Sequence, residues 1–289
     1  MRKIKQILPA QKVNMGGILL DQPLPYRGVD QIDPFLLVHH WASKMPGNQQ
    51  QKDVGVGPHP HRGFAPVTFV FKGGVHHRDS TGIESIIYEG GTQWMNSGKG
   101  IIHSERPNKE LAAKGGDFEL IQFWVNAPAA KKMGEPSYQP LTFEDTPKVK
   151  SEDCLIEIGV VSGTLQNVSG TISADNPLLI LRLDIKKGGK TTIPVPEDYN
   201  AFLYQLDGQL TVNGTQRTKG KDLIWFEREK GGISVEGLED TRAIFLSGRP
   251  IGEPVSSYGP FVMNTQQEIM QAINDYQHGK LGTLQEKFD

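Results

Sequence analysis

Pro66-Val-Thr-Phe-Val-Phe71 is a run of β-branched and aromatic residues, and Lys72-Gly-Gly74 turns the chain directly after it. His76 and His77 follow, Thr81-Gly82 makes another turn, and Ile83 to Tyr88 reads as a further strand before Gly90-Gly91. The same cadence returns in the second half. Ala201-Phe-Leu-Tyr-Gln-Leu206 alternates large residues, Asp207-Gly208 has the form of a two-residue hairpin turn, and Gln209-Leu-Thr-Val212 reads as its return strand. Asn213-Gly214 is a second such signal, and Asp222-Leu-Ile-Trp-Phe226 supplies another strand. Gly73 and Gly208 stand in comparable places, so the pattern predicts a duplicated, all-β chain.

The polar stretch from Gly134 to Lys150, with Pro136, Pro140 and Pro147, is the expected boundary. It divides the chain into domains 1–140 and 141–289, and the small polar residues between Thr164 and Asn176 predict loops. Only the C-terminus reads as helical. Thr265-Gln-Gln-Glu268 matches a capping box, Ile269, Met270, Ile273 and Tyr276 recur at helical spacing as a packing face, and Gly279 suits the stop.

Composition narrows the function classes. Across 289 residues, 31 Lys and Arg face 33 Asp and Glu, a net charge of −2, which argues against a nucleic-acid binder working through a basic surface. A hydrophobic content of 37% with 22% charged residues suits a folded chain, and 33 glycines with 19 prolines suit many tight turns. Cys154 is the single cysteine, so there is no internal disulfide and no cysteine-based zinc site. The N-terminus, Met1-Arg-Lys-Ile-Lys, lacks a secretory apolar stretch, and Phe35-Leu-Leu-Val38 and Leu178-Leu-Ile-Leu181 fall far short of a membrane span. The expectation is a soluble, cytoplasmic protein without a membrane partner.

Seven of the eight histidines lie between His39 and His103. His59-Pro60-His61 places two imidazoles on one face of a strand, because residues i and i+2 point the same way. His103-Ser104-Glu105 repeats that spacing and adds a third imidazole and a carboxylate, after a turn-rich Asn96-Ser-Gly-Lys-Gly100 that could bring the two strands together. Three imidazoles and one carboxylate suit a divalent transition metal, and an octahedral ion would keep positions open for chemistry. The adjacent pairs His39-His40 and His76-His77 point to opposite faces, so each can bring at most one ring near the metal. Trp41, Trp94, Met95, Phe123 and Trp124 are candidates to line an aromatic-accepting pocket, with one or two expected to face it. In the second half, positions spaced from Gly208 as His59 and His61 are from Gly73 hold Pro194 and Pro196, so no comparable metal site is expected there.

These motifs also carry a family resemblance. Pro58-His-Pro-His-Arg-Gly-Phe64, Asp79-Ser80, Gln93-Trp-Met95, Gly98-Lys-Gly100 and His103-Ser-Glu105 resemble the pirin family of the cupin superfamily. Pro250-Ile-Gly-Glu-Pro-Val255 and Tyr258-Gly-Pro-Phe-Val-Met-Asn264 are similar to its C-terminal signature. The resemblance implies two tandem cupin barrels, each a double-stranded β-helix, with a short C-terminal helix. The first, 1–140, would bind one metal through His59, His61, His103 and Glu105, and the second, 141–289, would lack ligands. Ala65 stands where the family usually has Glu, which leaves the carboxylate to Glu105, and Gly90-Gly-Thr92 replaces a more usual Pro-Gly-Asp.

The activity implied is that of a quercetinase: an oxidoreductase that cleaves flavonols such as quercetin with molecular oxygen and releases carbon monoxide. Iron(II) is the metal expected, with manganese, nickel, cobalt, copper or zinc as alternatives, and Glu105 is the expected general base. The competing reading within the family is a non-enzymatic, metal- or redox-responsive regulator that binds other proteins.

Overall fold

Strands built from such short apolar runs cannot bury both faces alone, so they pair into sheets and the sheets pack on one another. In the computed structural model, which describes residues 1–288, they form two cupin barrels of antiparallel strands. Among the described residues, no helix is long and apolar enough to cross a membrane.

The two compact units are not the consecutive stretches 1–140 and 141–289. One unit comprises 1–36 with 145–251, and the other 37–144 with 252–289. The physical reason lies at both ends of the chain. The N-terminal strand Ile4–Pro9 pairs with Asp222–Phe226, Ile7 opposite Ile224 and Leu8 opposite Leu223, so it belongs to the later barrel. The C-terminal segment in turn belongs to the barrel of residues 37–144.

In the unit of 1–36 and 145–251, the sheet led by Ile4–Pro9 faces a smaller one formed by Lys190–Ile193, Ile233–Gly237, Gln209–Val212 and Gln216–Lys219. Its interior is apolar: Ile158, Val160, Leu181, Leu203, Ile193, Leu210, Val235 and Phe245 are fully or nearly fully buried together. Asp207-Gly208 is not a hairpin turn here. Asn200–Gln205 pairs with Asp222–Phe226 and Thr241–Gly248, whereas Gln209–Val212 lies in the other sheet. A positive-φ glycine serves a corner between sheets as well as a hairpin, and sequence spacing does not distinguish them. Gly208 has φ +66°, and a Cβ there would meet the backbone of Asp240 at 2.4 Å. Asn213-Gly214 does close a true hairpin, with Val212 opposite Gln216.

The other unit holds the histidine motifs. Its smaller sheet runs in the order Val56–His61, Ile101–Pro107, Gly74–Asp79, Glu84–Tyr88. The facing sheet places Ser137–Leu141, Thr92–Asn96, Phe64–Lys72, Gly116–Asn126 and Phe35–Met45 side by side. One apolar cluster of this unit gathers Val70, Val75, Ile87, Leu111, Phe118 and Leu120.

The C-terminal helix spans Gln266–Gln277, and the Thr265 hydroxyl accepts from the Glu268 amide at 3.2 Å as its cap. Its packing face is narrower than the spacing suggests. Ile269 and Ala272 are buried with Phe261, Met263 and Leu281, while Met270 is 63% exposed because it sits about 100° around the helix from Ile269. Two shorter helices, Lys109–Lys114 and Ala129–Lys132, carry no strong periodic signal. Buried charges tie this segment to the barrel. Arg62 donates to Asp275 at 2.9 Å, and Arg106 makes a bidentate pair with Glu286 at 2.6 and 2.7 Å. The Lys132 ammonium donates to the carbonyls of Gly63 and Val262 and to Asn126 Oδ1.

The hydrogen bond from Lys280, with those from Arg62 and Gln271, holds the Asp275 carboxyl down at about 2. A carboxylate whose folded value lies below its unfolded value of about 4 adds stability that is complete above that pH. The contribution is lost as pH falls from about 4 toward 2. Asp275→Asn should therefore lower Tm at neutral pH, and calorimetry should show the gap to wild type closing over that acidic window.

Candidate metal centre

Strand register builds the site. Val56–His61 and Ile101–Pro107 are antiparallel neighbours with His59 directly opposite His103 and His61 opposite Ile101. The register slips between His103 and Glu105, where Glu105 pairs with Val56, so the first strand carries an extra residue there. Gly57 lies in that bulge, and its carbonyl accepts from His59 Nδ1 at 2.9 Å. Period-two alternation then turns His59, His61 and His103 to one face. Their ligand nitrogens all lie within 4.8 Å of one another.

The hydrogen bonds decide which nitrogen each ring presents. His61 Nδ1 is held by the Pro260 carbonyl at 3.3 Å, and His103 Nδ1 meets His77 Nδ1 at 3.5 Å. His61 Nε2 and His103 Nε2 are buried with no partner. A buried nitrogen left unsatisfied costs about 1–3 kcal/mol, which a bound ion would offset. Burial, and then the neighbouring His59 ring, push the pKa of His61 and of His103 well below the ordinary imidazole value. Both rings are therefore neutral at physiological pH, the form that ligates. Anchored Nδ1 atoms with converging free Nε2 atoms fit a transition-metal site. His61 and His103 are buried while His59 is partly exposed, so the cluster is reached from the His59 side.

Glu105, expected as the fourth ligand, lies outside this cluster. Oε1 accepts from Thr68 Oγ1 at 3.1 Å and from Gln93 Nε2, and Oε2 accepts from Gln122 Nε2 at 2.7 Å. The three donors stand in a row across neighbouring strands of the facing sheet, Thr68 opposite both Gln122 and Gln93. Sequence reasoning assigned them no role. Their signal is a polar residue set inside an otherwise apolar strand, as Thr68 is within Pro66–Phe71. Tyr138 extends the row by donating to Gln93 Oε1 at 3.1 Å, and burial pushes its phenol pKa up.

The adjacent histidine pairs divide as alternation requires. His77 faces the cluster, whereas His76 contacts Gln51 at 3.0 Å and Glu84 at 2.7 Å. His40 pairs with Glu119 at 3.0 Å, and burial pushes His39 down to about 4. Of the aromatic candidates, Trp124 stands beside the cluster, its ring 5.6 Å from His61 and 4.3 Å from Phe64. Phe123 packs on Phe69 in the core, Trp41 packs on Phe118, and Trp94 is buried. In the other unit, Pro194 and Pro196 line a cavity of about 700 Å³ together with Tyr199, and Asp198 nearby is paired with Arg249.

Comparison with known proteins agrees with this architecture. Residues 18–125 match the family model described as Pirin, and residues 180–282 match the Pirin C-terminal cupin domain. Pirin-like protein 2 of Arabidopsis thaliana is 36% identical over 265 residues, covering 89% of this chain and 78% of that one. A pirin-like protein of Caulobacter vibrioides is 34% identical over 285 residues, 97% of this chain and 99% of its own. Among solved structures, a quercetin 2,3-dioxygenase from Acinetobacter baumannii superposes with a TM-score of 0.93 at 36% identity, covering 99% of this chain and all of that one.

Metal analysis of the wild-type chain after loading should find a stoichiometric divalent ion. His61→Ala and His103→Ala each remove one of the converging nitrogens and should lose it, with the far-UV circular dichroism of the β-barrels unchanged. Full metal occupancy in both variants would contradict the site.

Proposed function

The chain belongs to the pirin family of the cupin superfamily, and on that premise we propose that it is a metal-dependent dioxygenase cleaving flavonols such as quercetin with molecular oxygen. The observation that supports this most is the set of three imidazoles whose ligand nitrogens lie within 4.8 Å of one another. His59, His61 and His103 would hold the ion, iron(II) first among the candidates. When bound there, a divalent transition metal supplies Lewis acidity toward the flavonol 3-oxygen and a route for electrons to oxygen.

The protein's own groups supply positioning and proton transfer. Glu105 Oε1 already accepts two hydrogen bonds and Oε2 one, so a single strong acceptor site stays open on Oε2. That lone pair serves one role at a time. With an ion held by the histidines, it would serve as a further ligand, or take the proton of the 3-hydroxyl as a general base when substrate is bound. Thr68, Gln93 and Gln122 fix the carboxylate so that little reorientation is needed. The indole of Trp124, beside His61, offers a face on which a flavonol ring can stack.

Oxygen uptake with a flavonol panel, measured on protein stripped of metal and then loaded with iron(II), tests the reading. Turnover should require the metal and should vanish in His59→Ala and His103→Ala. Glu105→Gln should keep flavonol binding while kcat falls by about 10²–10⁴. No uptake by the loaded protein across the panel would overturn the proposal.

A further inference from the structure

The Gly74–Asp79 strand lies on the other side of Ile101–Pro107, with Asp79 opposite His103 and His77 opposite Glu105. Paired residues share a face, so His77 and Asp79 point the same way as the histidine cluster. His77 Nε2 meets Asp79 Oδ2 at 2.9 Å, and both side chains are buried, at 0% and 1% exposure. Asp79 is fixed in turn. Its Oδ1 accepts from the Thr81 amide at 2.8 Å, from the Thr81 hydroxyl at 2.6 Å and from the Ile83 amide at 3.3 Å.

From this geometry we infer that His77 and Asp79 form a side-chain relay that sets the tautomer and electron donation of His103 toward the metal. The inference rests on the reading of His103 as a metal ligand. The proton bookkeeping runs in one direction. An ionised carboxylate only accepts, so His77 carries its proton on Nε2. His103, read as a ligand through Nε2, carries its proton on Nδ1, so the His77 Nδ1 facing it at 3.5 Å is the acceptor. His103 is thereby held with its proton on Nδ1 and its lone pair on Nε2, toward His59 and His61.

His103 differs from its two neighbours in this support. His59 and His61 rest on the backbone carbonyls of Gly57 and Pro260, which carry only partial charge. His103 alone rests on a chain that ends in a full negative charge, which makes its imidazole the more basic donor. The same His77 ring stacks on Tyr138, with centroids 4.3 Å apart and planes at 19°. Tyr138 then reaches the Glu105 clamp through Gln93. One buried ring thus braces both His103 and Glu105. His77 and Asp79 are positioning residues, since neither belongs to the converging cluster.

The test compares wild type with His77→Phe, Asp79→Asn and His77→Gln, each stripped and reloaded with cobalt(II) or iron(II). Chelator competition reads affinity, visible absorption reads the cobalt ligand field, and voltammetry reads the iron midpoint potential. His77→Phe should weaken cobalt binding by about 10–100-fold. In Asp79→Asn the amide oxygen keeps the Thr81 contacts, so the NH₂ faces His77 Nε2 and reverses its tautomer. His103 then loses its acceptor, cobalt binding weakens, the cobalt spectrum shifts, and the iron midpoint potential rises because a less basic ligand favours the reduced ion. His77→Gln, which can still donate to Asp79 and accept from His103, should restore most of the affinity and the spectrum. A role confined to stability would lower Tm in these variants without moving the potential or the spectrum of the loaded protein. Wild-type affinity, spectrum and potential in both His77→Phe and Asp79→Asn would overturn the relay and leave the metal site standing. Failure of wild type to bind either ion would overturn the metal reading, and the relay with it.

Discussion

The pairing of His59 with His103 across two antiparallel strands is the constraint on which the site depends. It converts two short sequence motifs, more than forty positions apart in the chain, into one cluster of nitrogens within 4.8 Å. A slip of one residue would send every side chain of a strand to the opposite face. The bulge beside His59 is part of that registration, because it frees the Gly57 carbonyl to hold His59 Nδ1. Each ring is oriented by what holds its Nδ1: a bulge carbonyl, a carbonyl of the C-terminal segment, and a second histidine.

The two barrels show what such a site demands of its surroundings. One packs its two sheets around an apolar cluster that includes Leu181, Leu203, Leu210 and Phe245. The other sets imidazoles, amides and a carboxylate beside its apolar clusters. Buried polar groups destabilise unless they are partnered, so the site brings its own donors. The row Gln93, Thr68, Gln122 across three strands answers the two oxygens of Glu105. Orphaned atoms remain where an ion would bind, at His61 Nε2 and His103 Nε2. Two unpartnered imidazole nitrogens beside a partnered carboxylate are what a bound ion would complete.

The C-terminal segment contributes to the same unit by a different route. Arg62 immediately follows His61, and its ion pair with Asp275 ties the motif to the helix Gln266–Gln277. Arg106 immediately follows Glu105, and its bidentate pair with Glu286 ties the second motif to the tail. Both histidine motifs are thus followed by a buried arginine that grips residues more than 170 positions later in sequence. Pro260, in the same segment, supplies the carbonyl that orients His61.

Much of this was legible in the sequence, for identifiable reasons. Alternating apolar residues and glycine-marked turns determined an all-β, duplicated architecture, since a period of two admits no other regular structure. The i, i+2 spacing of His59 with His61 determined that both share a face, and the adjacency of His76 and His77 determined that they do not. Residue identity alone left Pro194 and Pro196 without ligating side chains. Only the tertiary structure decided that Ile4–Pro9 joins the later barrel and that residues 252–289 join the earlier one, because strand pairing between distant segments leaves no local trace. It also decided that Asp207-Gly208 turns a corner, that Glu105 is clamped by Thr68, Gln93 and Gln122, and that His77 rather than His76 reaches His103. Local periodicity specifies which face a side chain takes. Which distant side chain it meets there is set by register and packing, and those exist only once the chain has folded.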